Sequence, residues 1–172
     1  MAVVPEERRI AELRRLGVSE ALMRLSRGDC VHELFRDTCL GPPYYVYHGA
    51  GVPAGPPLVP LWDRSLNDVV VGIWERPDGL EFIEFSIEAN DEYTPLARTE
   101  QGFWATPFDF FFESDAPAQK MGEAAAAVGF HFLDRLRAAR EAVDSRLTTF
   151  EAHRTWLQAF VAGIDKDVGG KV

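Results

Sequence analysis

Apolar residues recur along this chain with two different periods, and the order in which those periods alternate sets the expected fold. Residues 5–27 read as two short helices. Pro5 suits a first helical position, and Ile10, Leu13 and Leu16 lie at helical spacing. Gly17 can end that helix in the left-handed region and Ser19 can cap the next one. Ala21, Leu22 and Leu25 give the second helix its apolar face, and Gly28 stops it.

The period then changes to two. Val69-Val70-Val71-Gly72-Ile73-Trp74 is a continuous apolar run, which predicts a strand covered on both faces. Arg76-Pro77-Asp78-Gly79 has the residues of a tight turn, with Pro supplying a fixed φ and Gly tolerating a positive one. The chain returns from Leu80 to Ile87 with Ile83, Phe85 and Ile87 on one face and Glu84 and Ser86 on the other. Leu58 to Trp62 adds a further strand. Ahead of it, half of the residues from Gly41 to Pro60 are Gly or Pro, and Tyr44-Tyr45-Val46-Tyr47 within that stretch predicts a short strand. Those aromatics argue for a segment tied onto the body rather than a free linker.

After Thr99 the helical period resumes. Phe103, Trp104, Phe108, Phe111 and Phe112 form a stripe that Pro107 kinks or restarts. Asp115 is expected to cap one long helix, whose stripe runs Met121, Ala125, Val128, Phe132, Leu136, Ala139 and Val143. Thr148 and Glu151 match a capping box before the last helix, which buries Trp156, Leu157, Phe160, Val161 and Ile164. Helices, then strands, then helices predict an α+β fold, with an antiparallel or mixed sheet and helices packed on one face. At 172 residues one domain is expected. It divides into N-terminal helices over 1–28, a sheet region over 41–115, C-terminal helices over 116–164 and a loose tail over 165–172.

Composition narrows the function. The chain is 47% hydrophobic and 26% charged, which excludes disordered and collagen-like classes. Its net charge of −9 makes nucleic acid and anionic membranes unfavourable partners. No apolar run is long enough for a secretory leader or a membrane span, so a cytoplasmic protein is expected. Cys30 and Cys39 are expected to be free thiols.

Candidate chemistry is sparse. Cys30, His32, Cys39 and His48 are zinc-type donors, but their spacing lacks the close ligand pair of zinc knuckles. Cys30 with His32 has no third group to orient a nucleophile–base pair. HExxH, GxSxG, GxGxxG and a phosphate-binding loop do not occur. His131 and His153 lie beside apolar stripes and read as helix-surface residues. No metal, cofactor or catalytic residue is therefore expected.

Charge placement is the stronger signal. From Trp62 to Asp115 thirteen acidic residues face three arginines, ten net negative charges, so the rest of the chain is nearly neutral. An overlapping stretch, about Leu58 to Glu113, resembles the SUKH superfamily, which includes bacterial immunity proteins. The likeness lies in Pro60-Leu61-Trp62 leading into a sheet, the hairpin Val69–Ile87, acids at Asp91-Glu92, then Leu96-Ala97-Arg98-Thr99 and the aromatic helix Phe103-Trp104 to Phe111-Phe112. The resemblance implies a sheet with helices on one side, in a non-enzymatic protein that occupies a toxin, often a nuclease. A nuclease cleft built for polyanions would accept carboxylates. The expected function is thus neutralisation of a basic toxin through an acidic surface. Expected contacts are Glu84, Glu88, Asp91 and Glu92, with Trp104 and Phe110 as aromatic anchors. The alternatives are a scaffold protein with an endogenous partner, and a small enzyme using its carboxylates on a metal ion.

Overall fold

The computed structural model describes residues 2–64 and 68–169. The fold is α+β, with a four-stranded antiparallel sheet and six α-helices among the described residues. In order these are α1 (Arg9–Arg15), α2 (Glu20–Ser26), β1 (Val59–Arg64), β2 (Val69–Arg76), β3 (Gly79–Ser86), β4 (Thr94–Ala97), α3 (Glu100–Glu113), α4 (Ala118–Val128), α5 (Leu133–Val143) and α6 (Phe150–Gly169). The chain forms two compact units, Met1–Pro95 and Leu96–Val172.

The strands of the sheet follow chain order, β1-β2-β3-β4. β2 and β3 pair without interruption from Val69↔Ser86 to Arg76↔Gly79, so Pro77 and Asp78 form a two-residue turn and Gly79 takes φ +129°. Between β1 and β2 the register shifts at Leu61, with Pro60 opposite Gly72 and Trp62 opposite Val71. Gly72 is required there. A Cβ would come within 2.7 Å of Leu58 Cδ1 and 3.0 Å of the Val59 carbonyl.

Leu58, Val70, Trp74, Ile83 and Phe85 form one buried cluster. Tyr45, Val46, Val52 and Ile87 pack against it, so the Gly/Pro-rich segment covers this sheet face. Gly55 lies so close to the Trp74 ring that a Cβ would meet it at 2.7 Å. The expected strand at Tyr44–Tyr47 is instead a single 3₁₀ turn, Tyr45–Tyr47. Asp63 Oδ2 accepts from the Tyr44 and Tyr45 amides at 2.7 and 3.0 Å, which holds the backbone in a turn with no strand partner. The Tyr45 hydroxyl donates to Asp68 (3.0 Å) and that of Tyr47 to the Val4 carbonyl (2.9 Å).

The N-terminal helices follow the sequence pattern. Ser19 Oγ accepts from the Leu22 amide at 3.1 Å, and Gly17 and Gly28 both have positive φ. Arg9 on α1 is buried and donates to Ser26 on α2, through both its hydroxyl and its carbonyl, and to the Pro60 carbonyl. Ser26 Oγ in turn donates to the Leu61 carbonyl (2.9 Å), so one guanidinium joins α1, α2 and β1. Burial pushes the Arg9 pKa down.

In the second unit α3 runs through Pro107, and α5 and α6 pack against it. Three expectations change here. Asp115 does not begin a helix; it sits at φ +52° just past the end of α3, and Pro117 precedes α4. The single long helix is two, because Gly129 ends α4 at φ +68°. The freed backbone groups are taken up by Gln101, which donates to the Gly129 carbonyl (2.7 Å) and accepts from the His131 amide (3.0 Å), while Phe130 stacks on Phe108 with centroids 4.9 Å apart. The cap of α6 is Thr149 rather than Thr148, its Oγ1 accepting from the Ala152 amide at 3.1 Å.

The expected loose tail is helical as far as Gly169; residues 170–172 lie outside the described residues. Asp165 explains why. Its carboxylate accepts from the Arg98 amide (2.7 Å), the Thr99 amide (2.9 Å) and Thr99 Oγ1 (2.6 Å), joining α6 to the start of α3. Gly102 makes room, since a Cβ there would collide with that carboxylate. Asp165→Ala should therefore destabilise the second unit by about 2–3 kcal/mol, for three charge-assisted bonds removed together. Asp165→Asn should lose less; urea unfolding compares the two, and amide exchange at Arg98 and Thr99 should rise in step.

Candidate functional site

The acidic excess read from the sequence divides into two populations. Most of the acids are engaged internally. Glu75 pairs with Arg15, whose hydrogen bond keeps the Glu75 pKa below the usual carboxylate range. Glu81 pairs with Arg76 at 2.8 Å, and Glu84 with Arg64 at 2.9 Å. Asp63 and Asp68 hold the Gly/Pro segment, as described above. Asp109 and Glu113 belong to a cluster in the second unit. These acids set local structure before they can meet a partner.

Glu88, Asp91 and Glu92 differ. They are exposed in the loop between β3 and β4, and among the described residues no cation or hydrogen-bond donor engages their carboxylates. The loop itself is braced. The Ile87 amide donates to the Asp68 carbonyl (2.9 Å), the Glu92 amide to the Ala89 carbonyl (3.3 Å), and Asn90 packs onto Gly51. At its far end Tyr93 sets its ring edge on Trp74 (4.7 Å), with its hydroxyl accepting from Arg76 (3.3 Å). Arg76 also lies over the Trp74 ring, 4.6 Å from its centroid. Three carboxylates thus stand on a backbone of limited freedom, next to a partly exposed tyrosine.

The other expected contacts fare unequally. Glu84 is half-buried in its pair with Arg64, so a partner would have to displace that cation. Trp104 is 0% exposed and donates its indole N–H to Glu100 at 3.2 Å, so it has no surface to offer and leaves the candidate site. The helical stripe assigned it correctly as apolar but could not tell core from anchor. Phe110 is 50% exposed on α3, in the second unit, so it remains available to a partner. Cys30 donates to the His32 carbonyl (3.1 Å) and His32 Nδ1 accepts from the Leu34 amide (3.2 Å). Cys39 is buried, which pushes its thiol up to about 11.

A second constellation was missed by the sequence reading. Asp109 and Glu113 lie one helical turn apart on α3, and His153 reaches them from α6. The ring Nε2 lies 2.6 Å from Asp109 Oδ2 and Nδ1 lies 3.1 Å from Glu113 Oε1. Arg140 from α5 pairs with the other Asp109 oxygen and lies over the Phe112 ring at 5.5 Å. Trp156, one turn beyond His153, meets the imidazole edge to face at 5.7 Å. Asp109 is only 4% exposed. Its spacing from Glu113 was visible, but nothing in a single chain marks which histidine meets them.

No family model, curated protein or solved structure matches this chain. Among the described residues no helix is long and apolar enough to cross a membrane.

Removing Arg140 leaves the buried Asp109 with His153 alone. Arg140→Met should cost about 3 kcal/mol of stability in the second unit, the usual size for an orphaned buried charge. Adding Asp109→Leu should recover most of it, because the charge is then gone as well. Denaturant unfolding of the single and double variants measures both.

Proposed function

We propose that this chain is a non-catalytic, cytoplasmic binding protein of the immunity type, which neutralises a basic toxin domain through the loop between β3 and β4. The observation that carries this reading is the contrast between acids held by internal cations and the exposed, unengaged group Glu88, Asp91 and Glu92. Like charges kept close on a braced loop repel one another, and a cationic surface relieves that repulsion. Because the loop backbone is already fixed, little ordering entropy opposes association. Such a field acts chiefly on the rate of encounter and on the exclusion of acidic competitors.

Two further features support the reading. The resemblance of Leu58–Glu113 to the SUKH superfamily implies the same role, and the net charge of −9 disfavours nucleic acid as the direct ligand. Tyr93 joins the three carboxylates as the aromatic contact, taking the place expected of Trp104, while Phe110 is a separate exposed position.

The test is parallel capture from the source cell with two baits, the natural chain and Asp91→Lys/Glu92→Lys. The natural chain should retain a basic protein at low salt and release it near 0.5 M, while the variant should fail to retain it. Addition of the natural chain should then abolish that protein's toxic activity at about equimolar ratio. Equal retention by both baits removes the loop from the interface. Retention of a housekeeping complex without toxic activity favours the scaffold role.

A further inference from the structure

Asp109, Glu113 and His153 have no part in the binding role proposed above, and their chemistry differs from that of the loop. Two carboxylates and an imidazole form a mixed oxygen–nitrogen donor set, drawn from two helices and brought within 4.8 Å of one another. Bare acidic patches offer only oxygen and attract any cation. An imidazole beside them selects ions that bond to nitrogen, such as zinc, over magnesium and calcium.

We propose that Asp109, Glu113 and His153 form a binding site for one divalent ion of the zinc class, with Arg140 as a positioning residue outside it. Ligands at the usual zinc bond lengths around a tetrahedral ion are spaced by about 3.3 Å. The Asp109 contact uses Nε2 (2.6 Å) and the Glu113 contact uses Nδ1 (3.1 Å), so an ion held by Nε2 beside Asp109 needs the half-exposed Glu113 side chain to swing in from the Nδ1 side, starting from donor atoms that lie within 4.8 Å of one another. The ion takes one ring nitrogen and one oxygen from each carboxylate, with water completing the set. Arg140 occupies the Asp109 oxygen that does not face the ring, which fixes the carboxylate as outer partners of metal ligands do. Glu113 has a half-exposed side chain and forms the entry, whereas Asp109 forms the buried floor.

Charge sets the expected strength. With a neutral ring, two carboxylates and one guanidinium leave a single net negative charge. That is too little to hold an ion by electrostatics alone, so affinity has to come from coordination through nitrogen. Zinc should bind in the micromolar range and magnesium should not.

Titration calorimetry of the full chain with zinc chloride, and separately with magnesium chloride, tests this. One equivalent of zinc should bind, with no magnesium heat. His153→Gln and Glu113→Gln should each weaken zinc binding by about tenfold or more. Glu113 is exposed enough that its variant should fold, as circular dichroism would check. Cys30→Ser/Cys39→Ser should leave zinc binding intact, which separates this site from the thiols. No stoichiometric zinc binding by the natural chain overturns the proposal. So does binding that survives both His153→Gln and Glu113→Gln, or binding lost only with the cysteines. None of these outcomes depends on whether the β3–β4 loop takes a basic partner.

Discussion

Strand β2 has no polar face, and the first unit is organised around that constraint. Val70, Val71, Ile73 and Trp74 are all buried, so neither side of the strand can be left to water. One side is covered by an unusual element, the Gly/Pro-rich segment that precedes β1. Nine of its eighteen residues, 41–58, are Gly or Pro and cannot join a ladder or a helix favourably. What they can do is lie close, as Gly55 does against Trp74, and let Tyr45, Val46 and Val52 reach the sheet. The segment carries little regular hydrogen bonding of its own, so its placement depends on side chains. Asp63 and Asp68 supply it, the first through two backbone amides and the second through a tyrosine hydroxyl.

That dependence changes the meaning of the acidic excess. A carboxylate near buried or half-buried donors is drawn to them, because desolvated donors gain more from a charge-assisted bond than water-exposed ones do. Asp63, Asp68, Asp109 and Asp165 have each become part of the framework in this way. Arg9 shows the converse. It is a buried cation whose guanidinium hydrogen bonds run to neutral oxygens, and its loss of water on burial depresses its pKa. Net charge counted along a sequence therefore overstates what a partner can meet. The loop acids are informative because they remain outside these commitments.

Much of the fold was legible before any coordinates, and the failures have physical causes. The hairpin at Pro77-Asp78, the cap at Ser19, the positive φ of Gly17 and the helix stop at Gly28 are local devices, and local chemistry is written in neighbouring residues. The split between α4 and α5 was hidden because its apolar stripe continues in register through Gly129. What ends the helix is a left-handed glycine together with Gln101, twenty-eight residues away, which bonds the exposed backbone. The helical end of the chain was misjudged for the same reason, since Asp165 is polar in composition but receives three donors from residues 98 and 99. Tyr44–Tyr47 has the composition of a strand and, among the described residues, lacks a ladder partner. At the candidate site the exposed acids of the loop were visible as charge, whereas Trp104 and the His153 cluster depended on which elements meet in space.

The two proposed roles ask two kinds of recognition of carboxylates, and burial is what separates them. The loop acids stand in water, where a unit charge is screened over about 8 Å at physiological salt. At that range they sense the sign and density of charge on a large partner and cannot discriminate one small ion from another. Asp109 is nearly excluded from water and already balanced by Arg140, so it contributes little long-range field. Its neighbours are set by helix packing to within bonding distance, and discrimination there comes from geometry and donor type. Raising salt should therefore weaken the first kind of recognition far more than the second. The two proposed roles are compatible in one acidic chain, because one would act through unpaired charge and the other through the identity of the atom that completes a paired set.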